Sequence, residues 1–159
     1  MSASKRTLGL SIAAMLVVAS ETAVHAAEIK VSGTVTYVTV SEDSTKLNDG
    51  RTVTRLHDKG VVLDKNTASP LHLSLQDCFA TVIVAADGKF IDGAGYCDTF
   101  DKEGNAFWLR WTGTDAASKW EAYHGTGKFQ GITGGGTTLT RIRHPDRFNI
   151  TYDGTLALK

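Results

Sequence analysis

The sequence predicts an all-β protein, and it leaves a β-sandwich and a closed barrel open as architectures. Three observations predict this class. Eight or nine segments of strand character follow residue 28, turn residues separate them every ~8–12 residues, and no segment is convincingly helical. With 159 residues, a single domain is expected, since domains commonly contain ~100–150 residues. A chain of this size can bury one apolar core.

The first strand, predicted over residues 28–40, shows a period of two. Ile29, Val31 and Tyr37 occupy odd positions, whereas Lys30 and several Ser and Thr residues occupy even ones. Alternation of apolar and polar residues, with β-branched side chains, is typical of a strand that buries one face.

The remaining strands are predicted by the same pattern between turn signals. Asp87-Gly88 is the strongest of these signals, because a two-residue hairpin loop needs positive φ at both positions. Residues 115–124 have the composition of a short helix, but strands on both sides favour a strand from residue 119. The predicted strands after the first cover residues 51–56, 61–63, 71–85, 89–100, 106–113, 119–130, 137–144 and 148–158.

Residues 1–26 predict a cleavable secretory signal. Two basic residues precede a short apolar run at residues 8–19, and the small residues Val24 and Ala26 follow at the −3 and −1 positions. A membrane anchor is the alternative, but the apolar run is shorter than the ~20 residues needed to cross a bilayer, which favours cleavage. We expect cleavage after Ala26 or Ala27, and a mature protein that is periplasmic or secreted and has no membrane span.

The composition excludes two function classes for the predicted mature domain, residues 27–159. The whole sequence carries 17 Lys and Arg against 17 Asp and Glu, so its formal net charge is zero. Proteins that neutralise phosphates carry clustered basic residues, and no nucleic-acid partner is therefore expected. With 42% hydrophobic and 21% charged residues, the chain is not a disordered tail.

The two cysteines, Cys78 and Cys97, are predicted to form a disulfide. An exported protein meets an oxidising compartment, and the predicted two-residue loop would place the cysteines directly opposite each other. Counted from that loop, they form a hydrogen-bonded pair with Cα atoms ~5.5 Å apart, although the closer, non-hydrogen-bonded pair suits a bridge better. A bulge at Gly93 or Gly95 would change this register. Two free, buried thiols are the alternative.

A glycine-rich segment at residues 125–136 is similar in composition to a phosphate-binding loop. A P-loop needs Lys followed by Ser or Thr and then a helix, whereas Phe129 follows Lys128 in this chain. The glycine spacing and the βαβ unit of a dinucleotide site are also missing. We therefore expect no nucleotide cofactor, and instead a strand that passes close to its neighbour before a sharp turn at the three consecutive glycines.

The same segment carries a family resemblance. The string Gly-Thr-Gly-Lys-Phe-Gln-Gly-Ile-Thr-Gly-Gly-Gly-Thr, residues 125–137, resembles a motif of small secreted bacterial proteins of the allene oxide cyclase and dirigent-like barrel group, which are mostly uncharacterised. A Gly-Tyr-Cys sequence ending at Cys97 is a second match, and the resemblance covers about residues 71–158. It implies a single eight-stranded antiparallel barrel, similar to the allene oxide cyclase and calycin barrels. The catalytic residues of the plant cyclases do not match position by position, so none is carried over.

Two neighbouring predicted strands supply the candidate site. Paired through their short connection, they place Phe107, Leu109 and Trp111 on one face with Glu121 and Tyr123. This face is the more apolar one, so we expect it to point into the barrel, with Phe107, Trp111, Glu121 and Tyr123 as ligand-binding residues. A carboxyl group buried there would hold its proton near neutral pH and could act as a general acid or base, which makes Glu121 the catalytic candidate. An exposed Glu at the rim is the alternative, and a one-residue slip would change the pairing.

The histidines of the predicted mature domain give no metal site. His57, His72, His124 and His144 lie at neither HxH nor HxxxH spacing, and two cysteines alone lack the ligand count of a zinc site. No metal and no other cofactor is expected.

The favoured function is that of a binding module that holds a small apolar or amphipathic ligand in the barrel mouth. One alternative is a cyclase or isomerase that acts on a lipid-like substrate through one carboxylate. The other is an interaction protein with a filled barrel, whose outer sheet makes homo-oligomer contacts. The interior volume separates the first two from the third, and a titratable side chain in the cavity separates catalysis from binding.

Overall fold

The computed structural model describes residues 27–114 and 116–158, which form one closed, eight-stranded antiparallel barrel. Each strand pairs with the next along the chain, and the last strand pairs with the first. This confirms the predicted all-β barrel and decides against a sandwich. The strands are β1 Ala27–Lys46, β2 Thr52–Asp64, β3 Leu75–Val84, β4 Phe90–Phe100, β5 Ala106–Gly113, β6 Ser118–Gly125, β7 Thr133–His144 and β8 Arg147–Leu158, and a 3₁₀ turn, Gly127–Phe129, lies between β6 and β7.

The predicted signal peptide, residues 1–26, lies outside the described residues. In the described part of the chain, no helix has the length and apolar character needed to cross a membrane.

Side chains alternate between the interior and the exterior of the barrel. In β1, Val31, Val35 and Tyr37 are buried, whereas Thr36 and Val38 are exposed. The same period of two continues around the barrel because each strand turns one face to the core.

The region with helix-like composition is a strand, as favoured from the sequence. Ser118, Trp120 and Ala122 of β6 are buried, whereas Lys119 and Glu121 are exposed. This alternation has the strand period, and pairing with β5 and β7 on both sides overrides the local composition. The strand is shorter than predicted, because it ends at Gly125.

The prediction of a turn at three consecutive glycines is wrong, because Gly134, Gly135 and Gly136 lie inside β7. The predicted close approach to a neighbouring strand is present there, since a Cβ atom on Gly136 would lie 1.9 Å from the carbonyl oxygen of Asp153 in β8. The chain reverses earlier, in the segment that contains the 3₁₀ turn.

The disulfide between Cys78 and Cys97 is confirmed. The two residues are directly opposite each other on β3 and β4, as the hairpin count requires. Their Cα atoms are 4.0 Å apart, which is the close spacing of a non-hydrogen-bonded pair and not the ~5.5 Å expected.

The hairpin loop explains this difference in spacing. The amide of Ala85 donates to the carbonyl of Lys89, so three residues and not two close the hairpin, and Gly88 has a φ of 84°. A bulge that changes the register is present at Ile91, whereas the positions considered for one from the sequence were Gly93 and Gly95. The extra loop residue and the bulge together restore the pairing of the cysteines.

The two ends of the barrel differ. At one end, which we call the plugged end, Phe129 and Ile132 from the β6–β7 connection pack with Phe107 and Leu156, and all four are almost fully buried. The rings of Phe107 and Phe129 lie 4.9 Å apart. The opposite end, which we call the hairpin end, carries the β1–β2, β3–β4, β5–β6 and β7–β8 connections.

Candidate functional site

The interior of the barrel contains a cavity of about 210 Å³. It begins above the plugged end and reaches the hairpin end, where Gly88 and Thr114 contribute to its wall. Most of the wall is apolar, because the inward-facing positions of the strands carry aliphatic and aromatic side chains. Prominent among them are Val35, Val82, Leu109, Trp111, Phe148 and Ile150. The barrel is therefore not filled by its own side chains.

Among the described residues, one carboxyl group belongs to the cavity wall, that of Asp58 in β2. Only 4% of Asp58 is exposed, and its carboxylate accepts a hydrogen bond of 2.7 Å from the hydroxyl of Thr39. Burial raises the pKa of Asp58, while the Thr39 hydrogen bond and the nearby charge of Arg143 oppose this shift. Asp58 is thus a carboxyl group that takes up a proton more readily than an exposed one.

Two stacked aromatic rings lie in the cavity wall near Asp58. Tyr37 stacks on Phe148, with ring centroids 4.8 Å apart, and the guanidinium of Arg143 lies 4.8 Å from the Phe148 centroid. Tyr37 donates its hydroxyl hydrogen to the side-chain carbonyl of Gln76. Burial, and then the charge of Asp58, raises the pKa of Tyr37, so its phenol stays neutral.

A second tyrosine hydroxyl joins β8 to β2, the two strands that flank β1. Tyr152 of β8 donates a hydrogen bond of 2.7 Å to the carboxylate of Asp64, at the end of β2. Burial, and then this hydrogen bond, raises the pKa of Tyr152. Its hydroxyl is therefore a neutral donor already in use within the protein.

The structure divides the predicted site residues into two groups. Phe107 and Trp111 line the cavity, whereas Glu121 and Tyr123 are on the outer face of the barrel. The predicted inward position of Glu121 is wrong, because its carboxylate accepts a hydrogen bond of 2.7 Å from Arg110 and both side chains are more than half exposed. The ligand-binding role of Phe107 and Trp111 stays a prediction.

A register difference of one residue causes this correction. Trp111 pairs with Trp120, and Arg110 pairs with Glu121, whereas the expected pairing placed Trp111 and Glu121 on the same face. The difference arises at the β5–β6 loop, where Gly113 pairs with Ser118 and not with Lys119, and a bulge between Phe107 and Trp108 changes the pairing only at the far end of the two strands. Trp120 therefore takes the inward place expected for Glu121.

Asp58 and Trp120 are two wall residues that were not predicted from the sequence. Asp58 lies in a polar stretch that resembles a turn between two short strands, but the stretch continues β2. Asp58 lies at an even position of β2, as do Thr54 and Val62, and all three residues are buried. The alternation of the strand could therefore have indicated that Asp58 points inward. Buried polar residues disrupt the apolar alternation by which strands are recognised.

The disulfide is part of the cavity wall as well. Cys78 and Cys97 both line the cavity, and each is less than 5% exposed. It therefore joins β3 to β4 directly beside the space that a ligand would occupy. No three His, Cys, Asp or Glu side chains in residues 27–114 and 116–158 are grouped so as to hold a metal ion.

The outer face of β2, β3 and β4 carries exposed apolar side chains. Val61 pairs with Leu75, which in turn pairs with Phe100, and Phe79 pairs with Tyr96 further along the same two strands. These side chains are between 37% and 57% exposed. The homo-oligomer contacts of the alternative function stay a prediction.

The barrel was compared with known proteins. No family model matches the sequence, and no curated protein matches it significantly. Among the solved structures that match the fold are those of the pterocarpan synthase dirigent proteins PsPTS1 and GePTS1, each with a TM-score of 0.53. The barrel shares the fold of dirigent proteins. The sequence identities are 13% and 14%, and the matches cover 84% and 85% of this chain and 97% and 93% of the two neighbours.

The structural neighbours agree with the predicted resemblance to dirigent-like barrels at the level of the fold. The resemblance to allene oxide cyclases and a bacterial, secreted origin stay predictions.

Proposed function

We propose that the protein binds a small, mainly apolar ligand in the cavity of its barrel. The observation that carries this proposal is the cavity of about 210 Å³ inside a closed wall. An apolar cavity of about 150 Å³ in a protein core is large enough for benzene, so this one suits a compound with one or two rings. Larger, drug-sized ligands need roughly 300–1,000 Å³.

The polar groups of the wall make an amphipathic ligand preferable to a plain hydrocarbon. Asp58 and Arg143 lie on one side of the cavity near the hairpin end, whereas Val82 and Leu109 belong to its apolar part. A ligand with one polar end would place that end beside the charged pair and bury its rings among the apolar side chains. The hairpin end is the route of entry, because the opposite end is plugged by Phe129 and its neighbours.

Native mass spectrometry of protein purified without denaturant tests this proposal. A bound compound is expected before extraction with organic solvent, and the mass of the protein alone is expected afterwards. Reloading the extracted protein with the recovered compound provides the control. Protein that carries no compound and takes up none of the small ring compounds offered to it would contradict the proposal.

Asp58 favours a second candidate function, the isomerisation of a bound ligand by proton transfer. It is a buried carboxyl group in the cavity wall with a raised pKa, which is a property of general acids and bases. The neighbours PsPTS1 and GePTS1 are named as synthases, so some barrels of this fold carry an activity by name. In that case Asp58, and not Glu121, would be the catalytic acid or base.

A pair of variants tests the second candidate. The compound recovered from the protein is incubated with the wild type, and an isomer of the same mass is sought by chromatography. Asp58→Asn is expected to abolish the conversion, whereas Glu121→Gln on the outer face is expected to leave it unchanged. Conversion that persists in Asp58→Asn, or no conversion by the wild type, would eliminate this candidate.

We also propose that the protein is exported and that mature protein begins after Ala26 or Ala27. The charged start, short apolar run and small residues of the signal support this, and a structural disulfide fits an oxidising compartment. Mass analysis of protein from the periplasm and from the medium would give both its location and its first residue. Full-length protein retained in the cytoplasm would contradict export.

A further inference from the structure

Trp120 carries a buried hydrogen-bond donor that has no partner in the described part of the chain. This residue lies on β6, is 8% exposed and lines the cavity. Its indole Nε1 is buried and has no hydrogen-bond partner among residues 27–114 and 116–158. Buried indole N–H groups usually find an acceptor, because leaving a donor unpaired away from water is unfavourable.

The surrounding wall is arranged to hold this indole. Gly154 of β8 leaves room for it, since a Cβ atom there would lie 2.6 Å from Cζ2 of Trp120. Trp111 pairs with Trp120 across β5 and β6, so two indoles lie side by side in the wall. A phenylalanine would supply aromatic surface without an unpaired donor, so packing alone does not explain the N–H.

We propose that the indole N–H of Trp120 donates a hydrogen bond to an oxygen acceptor of the bound ligand. This inference rests on the proposed ligand site and narrows its ligand to a compound with one or two rings that carries a carbonyl, ether or hydroxyl oxygen. The size follows from the cavity of about 210 Å³. The acceptor is required on the side of the ligand that faces β6, because Trp120 lies on that strand.

Two matched probes separate this hydrogen bond from plain burial. Indane and 1-indanone share the same fused rings and differ by one carbonyl oxygen. Their affinities are measured for the wild type, for Trp120→Phe, and for Trp108→Phe as control. Trp108 lies between Phe107 and Leu109 on β5 and so belongs to the outer face.

We expect Trp120→Phe to weaken 1-indanone binding about tenfold, as for the loss of one hydrogen bond, and to leave indane binding within about twofold. Trp108→Phe is expected to change neither affinity. Equal weakening of both probes by Trp120→Phe would mean lost packing and would overturn the hydrogen bond while leaving the ligand site standing. Failure of the wild type to bind either probe would instead overturn both this inference and the proposed function.

A second measurement, NMR of the indole N–H signals, tests the same hydrogen bond without a variant of Trp120. The protein has three tryptophans, so the wild type gives three indole ¹H–¹⁵N signals, and Trp108→Phe and Trp111→Phe assign them by elimination. Saturating 1-indanone is expected to move the Trp120 proton signal downfield, and saturating indane is expected to leave it near its starting position. The same shift with both probes, or none with 1-indanone, would show that the N–H does not reach the ligand.

Discussion

Gly95 of β4 and Trp111 of β5 are directly opposite each other, and a Cβ atom on Gly95 would lie only 2.7 Å from Nε1 of Trp111. The missing side chain therefore leaves the space in which the indole lies against the wall. Gly154 does the same for Trp120. In this barrel, glycines on inward positions let large aromatic rings line the cavity without filling it.

The Gly95→Ala variant is expected to be less stable than the wild type by about 1–3 kcal/mol, because the added methyl group overpacks the wall. An alanine in an ordinary strand would be more stable than glycine by roughly 0.5–1 kcal/mol, so the sign of the change is informative. Urea denaturation measures it. A double-mutant cycle with Trp111→Phe should show coupling between the two sites. Additive effects, or a stabilised Gly95→Ala, would contradict the crowding at this position.

Removing the disulfide with Cys78→Ala and Cys97→Ala together is expected to lower the free energy of unfolding by about 3 kcal/mol. The closed loop has a sequence separation of 19 residues, and a loop of about that length gives an entropic stabilisation of this size. Denaturation of the wild type with and without reductant, and of the double variant, checks the value. Reductant should not affect the double variant, and a wild type that is equally stable when reduced would speak against the disulfide as a stabilising bond.

The Asp58→Asn variant is expected to be more stable than the wild type at neutral pH. Because burial raises the pKa of Asp58 in the folded state, the unfolded state binds fewer protons than the folded one between the unfolded and the folded pKa. The wild type therefore loses stability as the pH rises through that window, and the advantage of the variant should vanish below the unfolded pKa of about 3.9.

Denaturation at pH 3 and pH 7 measures this difference. Asp87→Asn, an exposed residue in the β3–β4 loop, is the control for removing one carboxylate. A variant that is less stable than the wild type at pH 7 would mean that the charge of Asp58 supports the fold, and that its hydrogen bond with Thr39 outweighs the cost of burial.

The Glu121→Gln variant is expected to leave the affinity for 1-indanone unchanged and to cost no more than about 1 kcal/mol of stability. Glu121 forms an ion pair with Arg110 on the outer face, and exposed pairs contribute ~0.2–1 kcal/mol. Binding is followed by calorimetry, and stability by thermal unfolding. A clear loss of ligand affinity would place Glu121 back at the binding site.

The strand pattern could be predicted from the sequence because alternation is a local property. The buried positions of β1 follow from parity, the strand nature of β6 from the strands on both sides of it, and the pairing of Cys78 with Cys97 from hairpin counting. Parity tolerates small errors in loop length as long as the bulges compensate for them, as the bulge at Ile91 does.

The site could be predicted only in part because register is not local. The β5–β6 loop sets a pairing one residue away from the expected one, so Trp120 and not Glu121 lies in the wall, and no local residue pattern predicts that register. Asp58 was missed for a different reason. Strands are recognised in a sequence by apolar residues at the buried positions, and Asp58 is a polar residue at such a position because it lines a cavity.

Binding of a small ring compound inside the barrel is tested most directly by NOEs between 1-indanone and assigned methyl groups of the protein. We expect NOEs from the probe to Val82, Leu109 and Ile150 in the cavity wall, and none to Val61 and Leu75 on the outer face. NOEs confined to the outer face, or absent while the probe is in excess, would contradict an interior site.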